Sequence, residues 1–255
     1  MKRSIIILLT GLASLTGARA QDFKIGRSTG KMLLNLSSVL VEGYNGKEIT
    51  FSSQRAAEES DPRAKGLQAI SGSGFIDNTG LGISVTEKGT NIEVNQVAPD
   101  VAIKILVPKG MVLSFACHKV ANAGKVSFKD LENEIEVSTD YNAVELENVT
   151  GPVSIRTIYG AVDVRFSAPV RGPVSITSVY STVDVAIPVD TKATIKLNSS
   201  YGSIMASADL KIELEKNAEG DMVYYGNTVK GKINGGGTDF KLTSEYSKIY
   251  LRKTK

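Results

Sequence analysis

Five segments of this 255-residue chain superimpose on one pattern, and that repeat limits the possible folds more than any other feature. They are Ile135–Leu146, Val153–Val164, Val174–Val185, Ile195–Ala206 and Phe240–Leu251, each with a tyrosine at its seventh position: Tyr141, Tyr159, Tyr180, Tyr201 and Tyr246. Apolar and polar residues alternate before the Tyr and again after it, but the parity changes at the Tyr, so each unit is two short strands joined by a bend. Successive Tyr residues are 18, 21, 21 and 45 apart, the last interval being close to twice the others. One degenerate unit, or an insertion, is therefore expected at residues 208 to 234.

A period of about 20 residues with two strands per unit predicts an all-β chain wound as a parallel β-helix, or β-solenoid, with equivalent positions stacked about 4.8 Å apart. A sandwich or barrel is the other all-β arrangement open to short alternating strands. It would pair each strand with a reversed neighbour and leave equivalent residues out of line. A lipid-facing barrel fits least, because one parity reads Ser154, Arg156, Ser175, Thr177, Lys196 and Asn198. Upstream, Leu34 to Val41, Glu48 to Ser52, Leu81 to Thr86, Asn91 to Val94, Val101 to Val107 and Val112 to Cys117 read as strands without the Tyr signature, forming irregular coils or a cap. Ser53 to Gly74, polar and charged, reads as an exposed loop or short helix.

Residues 1–20 have the layout of a secretory signal peptide: Lys2 and Arg3, an apolar run from Ile5, and the small-x-small ending Ala18-Arg19-Ala20, with cleavage expected between Ala20 and Gln21. The expected organisation is this signal, an N-terminal β region over 21–130, and a Tyr-repeat solenoid over 131–255 continuous with it. Of 30 basic residues, three lie in the signal, which leaves 27 against 27 acidic. A neutral exported chain gives no electrostatic case for nucleic acid, and no other segment is apolar enough to span a membrane.

One cysteine cannot make an internal disulfide, so packing alone must stabilise the fold. Cys117 shares the parity of Leu113 and Phe115 and is expected in the core, with His118, the single histidine, facing away. A zinc or iron site has no ligand cluster to build from, and no metal or cofactor is expected. Gly26-Arg-Ser-Thr-Gly30-Lys31 departs from the Walker spacing and is followed by Met32, so it is not a phosphate loop. Gly235-Gly-Gly237 precedes a strand and reads as a tight turn.

The candidate ligand-binding residues are Glu145, Asp163 and Asp184, four positions after the Tyr in three successive units, followed there by Met205 and Tyr250. Stacked outward, neighbours would sit about 4.8 Å apart and the outer pair about twice that, near the roughly 6.5–9.5 Å of inverting glycosidases. The competing reading is a solvated stripe neutralised by Arg156 or Lys196, and calcium bridging two of the acids is a third. Tyr141, Tyr159, Tyr180, Tyr201 and Tyr246 are expected to stack as a structural ladder. Thr139, Thr157, Ser178, Ser199 and Ser244, two residues before each Tyr, would form a companion polar ladder that satisfies backbone groups.

Several motifs, in their order along the chain, resemble the bacterial putative adhesin family of exported β-strand-repeat proteins common in the Bacteroidetes. They are Val41-Glu-Gly-Tyr-Asn-Gly46, Val107-Pro-Lys-Gly110, Val149-Thr-Gly-Pro-Val153, Ile187-Pro-Val-Asp-Thr-Lys-Ala-Thr-Ile195, and Gly231-Lys-Ile-Asn-Gly-Gly-Gly237 with the ending Tyr-x-x-Ile-x-Leu-Arg-Lys. The resemblance implies a solenoid-like fold and an envelope or surface location, and it implies no activity. The expectation is an exported, non-catalytic, monomeric scaffold in the periplasm or at the cell surface, with polysaccharide or an envelope protein as partner. The alternatives are a polysaccharide-active enzyme using the acidic stripe and a periplasmic sensing or binding module.

Overall fold

In the computed structural model, which describes residues 22–55, 62–99, 101–119, 124–215 and 227–254, alternating aliphatic residues give strands almost throughout. Ahead of the repeats come β1 (Asp22–Ile25), β2 (Thr29–Asn35), β3 (Val39–Gly43), β4 (Ile49–Ser53), β5 (Ile83–Lys88), β6 (Asn91–Gln96), β7 (Ile103–Val107), β8 (Gly110–Cys117) and β9 (Lys125–Lys129). The repeats supply β10 (Ile135–Thr139), β11 (Ala143–Glu147), β12 (Val153–Thr157), β13 (Val162–Arg165), β14 (Val174–Ser178), β15 (Val183–Ile187), β16 (Ala193–Ser199) and β17 (Ile204–Ala206). After them follow β18 (Ile212–Leu214), β19 (Asn227–Ile233), and the last repeat as β20 (Thr238–Ser244) and β21 (Ile249–Lys253). The signal segment and its Ala20/Gln21 junction lie outside the described residues.

The strands form two parallel-rich sheets, neither closed into a barrel. The ten-stranded sheet runs β1-β4-β7-β3-β9-β11-β13-β15-β21-β17, and the eleven-stranded sheet runs β18-β19-β16-β20-β14-β12-β10-β8-β2-β6-β5. Each repeat places its first strand in the larger sheet and its second in the smaller, because the parity change at the Tyr turns the chain from one to the other. Eight such strand pairs occur among the described residues, and they follow the same order in both sheets. Pairing within the repeats is parallel and in register, with Val137 opposite Ile155, Ile155 opposite Ile176, and Ile176 opposite Leu242. Antiparallel pairing, which a sandwich would need throughout, is confined to the two ends: β1, β4 and β5 at one, β18 and β19 at the other.

Spatial order departs from sequence order at both ends. At the front, β6 and β7 lie outside β2 and β3. At the back, the last repeat inserts between its two predecessors: β20 lies between β14 and β16, and β21 between β15 and β17. The doubled Tyr interval thus holds an antiparallel excursion that reaches past β16 and returns, with residues 216–226 outside the description. Arg252 and Lys253, on β21, consequently lie inside the sheet, with β17 beyond them.

Inward residues of both sheets form one apolar core, including Phe51, Phe115, Phe128, Phe166 and Phe240, each at most 2% exposed. Leu34 to Val41 is two strands, not one, because Leu36, Ser37 and Ser38 turn the chain between sheets. β1 and β9 are additions to the sequence reading, although both Asp22-Phe-Lys-Ile25 and Lys125-Val-Ser-Phe-Lys129 alternate polar and apolar residues. In the Ser53–Gly74 stretch, Pro62–Ala64 forms a single 3-10 turn, and residues 56–61 lie outside the description. Gly235 and Gly236 adopt positive φ of 81° and 89° in the turn before β20, as the Gly run requires.

Candidate functional site

The first-strand corners carry both ladders. The tyrosines stack in the order Tyr141, Tyr159, Tyr180, Tyr246, Tyr201, with centroids 4.9–5.1 Å apart and planes within 17°. Tyr246 precedes Tyr201 because β20 precedes β16 in space, which corrects the sequence order. Stacked rings cover one another's faces, so the ladder shows solvent its edges and hydroxyls. A sugar needs an open aromatic face, and within the ladder only the end rings have one free of a neighbouring tyrosine. Tyr201, at one end, is 68% exposed.

Two residues earlier, Thr139, Thr157, Ser178, Ser199 and Ser244 are buried. Each of the first four accepts an N–H from the residue three further on: Asn142 at 3.4 Å, Gly160 at 2.9 Å, Ser181 at 3.2 Å and Gly202 at 2.9 Å. Hydroxyls also donate along the stack: Thr139 to Cys117 O, Ser178 to Gly160 O, Ser244 to Ser181 O and Ser199 to Ser247 O, at 2.8, 3.5, 2.9 and 3.0 Å. Buried polar groups must be paired, and these hydroxyls pair the turn of one unit with the next. Thr157→Val is expected to lower stability by about 1 kcal/mol, since it strands the buried Gly160 N–H; chemical denaturation measures it.

Glu145, Asp163 and Asp184 stand in register on β11, β13 and β15, on the outward face of the ten-stranded sheet. Beyond Asp184 come Tyr250 and then Met205, again reversing the sequence order. Every acid has a cation. Lys125 Nζ lies 2.6 Å from Glu145, Arg165 3.2 Å from Asp163, and Arg252 Nε 2.8 and 2.9 Å from the two oxygens of Asp184. Arg252 also lies 4.8 Å from the Tyr250 ring centroid. Arg156 and Lys196, the expected neutralising residues, are on β12 and β16 of the other sheet and take no part. Arg165 was legible as the same-face neighbour of Asp163 two residues on. Lys125 sits on the unforeseen β9, and Arg252 reaches Asp184 only because β21 is inserted beside β15.

The lysine hydrogen bond holds the Glu145 carboxyl below its ordinary value, aided by the Ser127 hydroxyl. Burial pushes Asp163 up, opposed by Arg165 and reinforced by Asp184 and Glu145. A depressed carboxyl contributes stability above its unfolded pKa and loses it as pH falls through the folded one. Glu145→Gln should therefore cost less than about 1 kcal/mol at neutral pH, both partners being partly exposed. The difference from wild type should vanish once the pH is well below 4.5, the ordinary value for this group; urea melts at two pH values measure it.

Cys117 is buried and His118 faces out, with Nδ1 2.9 Å from Asp140 Oδ1. Among the described residues, no three His, Cys, Asp or Glu side chains are grouped so as to hold a metal ion. A cleft of about 510 Å³ opens at the front corner between Leu36, Phe75, Val97, Cys117 and His118, and the acidic stripe does not line it. No helix among the described residues is long and apolar enough to cross a membrane.

No family model and no curated protein matches the chain. Among solved structures, a putative cell adhesion protein from Clostridium sporogenes aligns over 92% of this chain and 100% of its own, at 13% identity and a TM-score of 0.44. A putative adhesin from Bacteroides fragilis aligns over 93% and 98%, at 9% identity and a TM-score of 0.35. Both are named for the class whose motifs the sequence resembles, and at these scores the fold stands on the chain's own strand register.

Proposed function

We propose that this chain is an exported, non-catalytic, adhesin-like protein of the cell envelope or surface: a rigid β-solenoid that presents its long polar faces to polysaccharide or to an envelope protein. The observation that supports this reading most is the common order of the eight strand pairs in both sheets, which makes one continuous stack from β6–β7 to β16–β17. Such a stack offers extended surface and needs no catalytic cleft. In this reading residues 21–130 and 131–255 are one body, since β8 and β9 pair directly with β10 and β11. The antiparallel strands at each end blunt the parallel edges, which supports a monomer.

The enzyme alternative draws on Asp163, whose raised pKa is what a general acid requires. Against it, the flanking acids are ion-paired, and the 510 Å³ cleft lies elsewhere. The test is a glycan and cell-wall array with the purified mature chain, run with calcium and with chelator. Saturable retention without product release is expected. Product release lost in Asp163→Asn at unchanged melting temperature would contradict the scaffold reading.

A further inference from the structure

The two sheets treat their outward charges differently. On the ten-stranded sheet Lys104 pairs with Glu42, Lys125 with Glu145, Lys129 with Glu147, Arg165 with Asp163 and Arg252 with Asp184, all within 3.4 Å. The eleven-stranded sheet starts the same way, with Lys88–Glu93 at 2.8 Å and Lys31–Glu136 at 2.6 Å. Toward its β19 end the matching stops. Lys241 on β20 stands directly opposite Lys196 on β16, which stands directly opposite Lys230 on β19. All three are exposed, and none has an ion pair or side-chain hydrogen bond among the described residues.

Like charges directly opposite across a strand pair are destabilising, and adjacent strands are only about 4.8 Å apart. Lys232 lies two residues along from Lys230 on the same face, with the exposed acids Asp239 and Glu213 nearby and Glu215 beside Lys230, whose carbonyl accepts the Glu215 N–H at 2.9 Å. Four ammonium groups thus face three carboxylates among the described residues, all three of them at the β18–β19 edge or on β20, which leaves the central Lys241–Lys196 pair without an acid directly opposite it. Beside the lysine row runs a neutral row in register, Thr177, Thr243, Asn198 and Thr228, in which Thr228 donates to Asn198 Oδ1 at 2.8 Å. Arg156, exposed and likewise without an ion partner, precedes Thr177 in that row.

We infer that this strip is a binding site for a linear acidic polysaccharide, one whose carboxylates recur along the chain at about the spacing of the strands. The inference rests on the scaffold reading above and names the ligand chemistry for one of its faces. Ammonium–carboxylate contacts supply the attraction, and the Thr and Asn row supplies donors and acceptors for sugar hydroxyls. Single-stranded nucleic acid fits less well, because it is held by aromatic stacking, and the outward positions of β14, β16, β19 and β20 carry no aromatic residue. The repulsion among the lysines is relieved when the polyanion binds, so affinity is electrostatic and falls with salt.

The test uses the full mature chain and immobilised polygalacturonate, with dextran as the neutral polymer and duplex DNA as the competing polyanion. A strip variant carries Lys196→Gln, Lys230→Gln and Lys241→Gln. A control variant carries Lys24→Gln, Lys104→Gln and Lys129→Gln, which removes the same charge from elsewhere. Binding to polygalacturonate at low salt is expected to weaken about tenfold or more in the strip variant and about twofold or less in the control, with the strip variant melting at or above wild type and the control, which loses three surface ion pairs, slightly below it. Absence of binding to polygalacturonate, equal loss in the two variants, or stronger binding to DNA would overturn the inference. Cell-wall retention that survives in the strip variant would leave the scaffold standing and remove this face from it.

Discussion

Replacing Leu242 by aspartate is expected to abolish cooperative folding, although the residue lies only thirteen positions before Lys255. Leu242 is 0% exposed and sits on β20 with Ile176 of β14 on one side and Leu197 of β16 on the other. A carboxylate there has no partner, and burying it uncompensated exceeds the roughly 4–5 kcal/mol at which single substitutions become exceptional. A domain with about 5–15 kcal/mol in total has little left after such a loss. Were the last repeat the outer unit of a sequentially ordered stack, the substitution would fray one end and leave the rest folded. Because β20 and β21 hold β16 and β17 to the body, the damage spreads. Lys241→Asp, one residue away and outward, is expected to stay within about 0.5 kcal/mol of wild type. Circular dichroism melts of the two variants separate the cases.

The second large effect is expected at Gly151, in the return segment between β11 and β12. A Cβ built there would lie 2.1 Å from Asn133 O, 2.6 Å from Asn133 C and 2.6 Å from Glu132 O, all backbone atoms. Asn133 cannot give way easily, because its buried amide donates to Pro108 O at 2.9 Å and to Met111 O at 2.7 Å. The close approach of two successive returns therefore excludes any side chain. Gly151→Ala is expected to cost about 2–3 kcal/mol, in the upper range for overpacking, since no flexible side chain absorbs the clash. An exposed turn glycine such as Gly72, with nothing within 4 Å of its Cβ position and no positive φ, offers no such conflict. Urea denaturation of Gly151→Ala gives the value directly.

How far the sequence carries a reader can be judged from the tyrosines. The alternation around Tyr141, Tyr159 and Tyr180 predicts two strands per unit and equivalent positions in register, and the parallel ladders β10-β12-β14 and β11-β13-β15 have that pairing. The position of Tyr246 was not legible. Its repeat matches the others as well as that of Tyr201 does, and nothing in a periodic pattern says which of two equivalent units lies nearer a third. The order is set by long-range packing, such as Phe240 meeting Phe166 edge-on at 5.9 Å. The acids of the stripe were legible for the same periodic reason. Of their counter-ions, Arg165 was legible and Lys125 lies on β9, which precedes its partner unit in sequence too, whereas Arg252 reaches Asp184 only through the inserted β21. The lysine strip was hidden likewise: Lys241, Lys196 and Lys230 are scattered in sequence and meet only because β20 and β19 flank β16.

Engineered disulfides test that order most directly, in a Cys117→Ala background. Strand neighbours about 4.8 Å apart fall inside the roughly 4.4–6.8 Å Cα range of a disulfide, and next-neighbours at about twice that distance do not. Ser175 stands opposite Lys241, and Lys196 lies one strand further. The inserted arrangement predicts that the Ser175→Cys/Lys241→Cys chain closes a disulfide under mild oxidation, and that the Ser175→Cys/Lys196→Cys chain does not. A bridge in the second pair and none in the first would contradict it, placing the units in sequence order and dispersing the lysine strip.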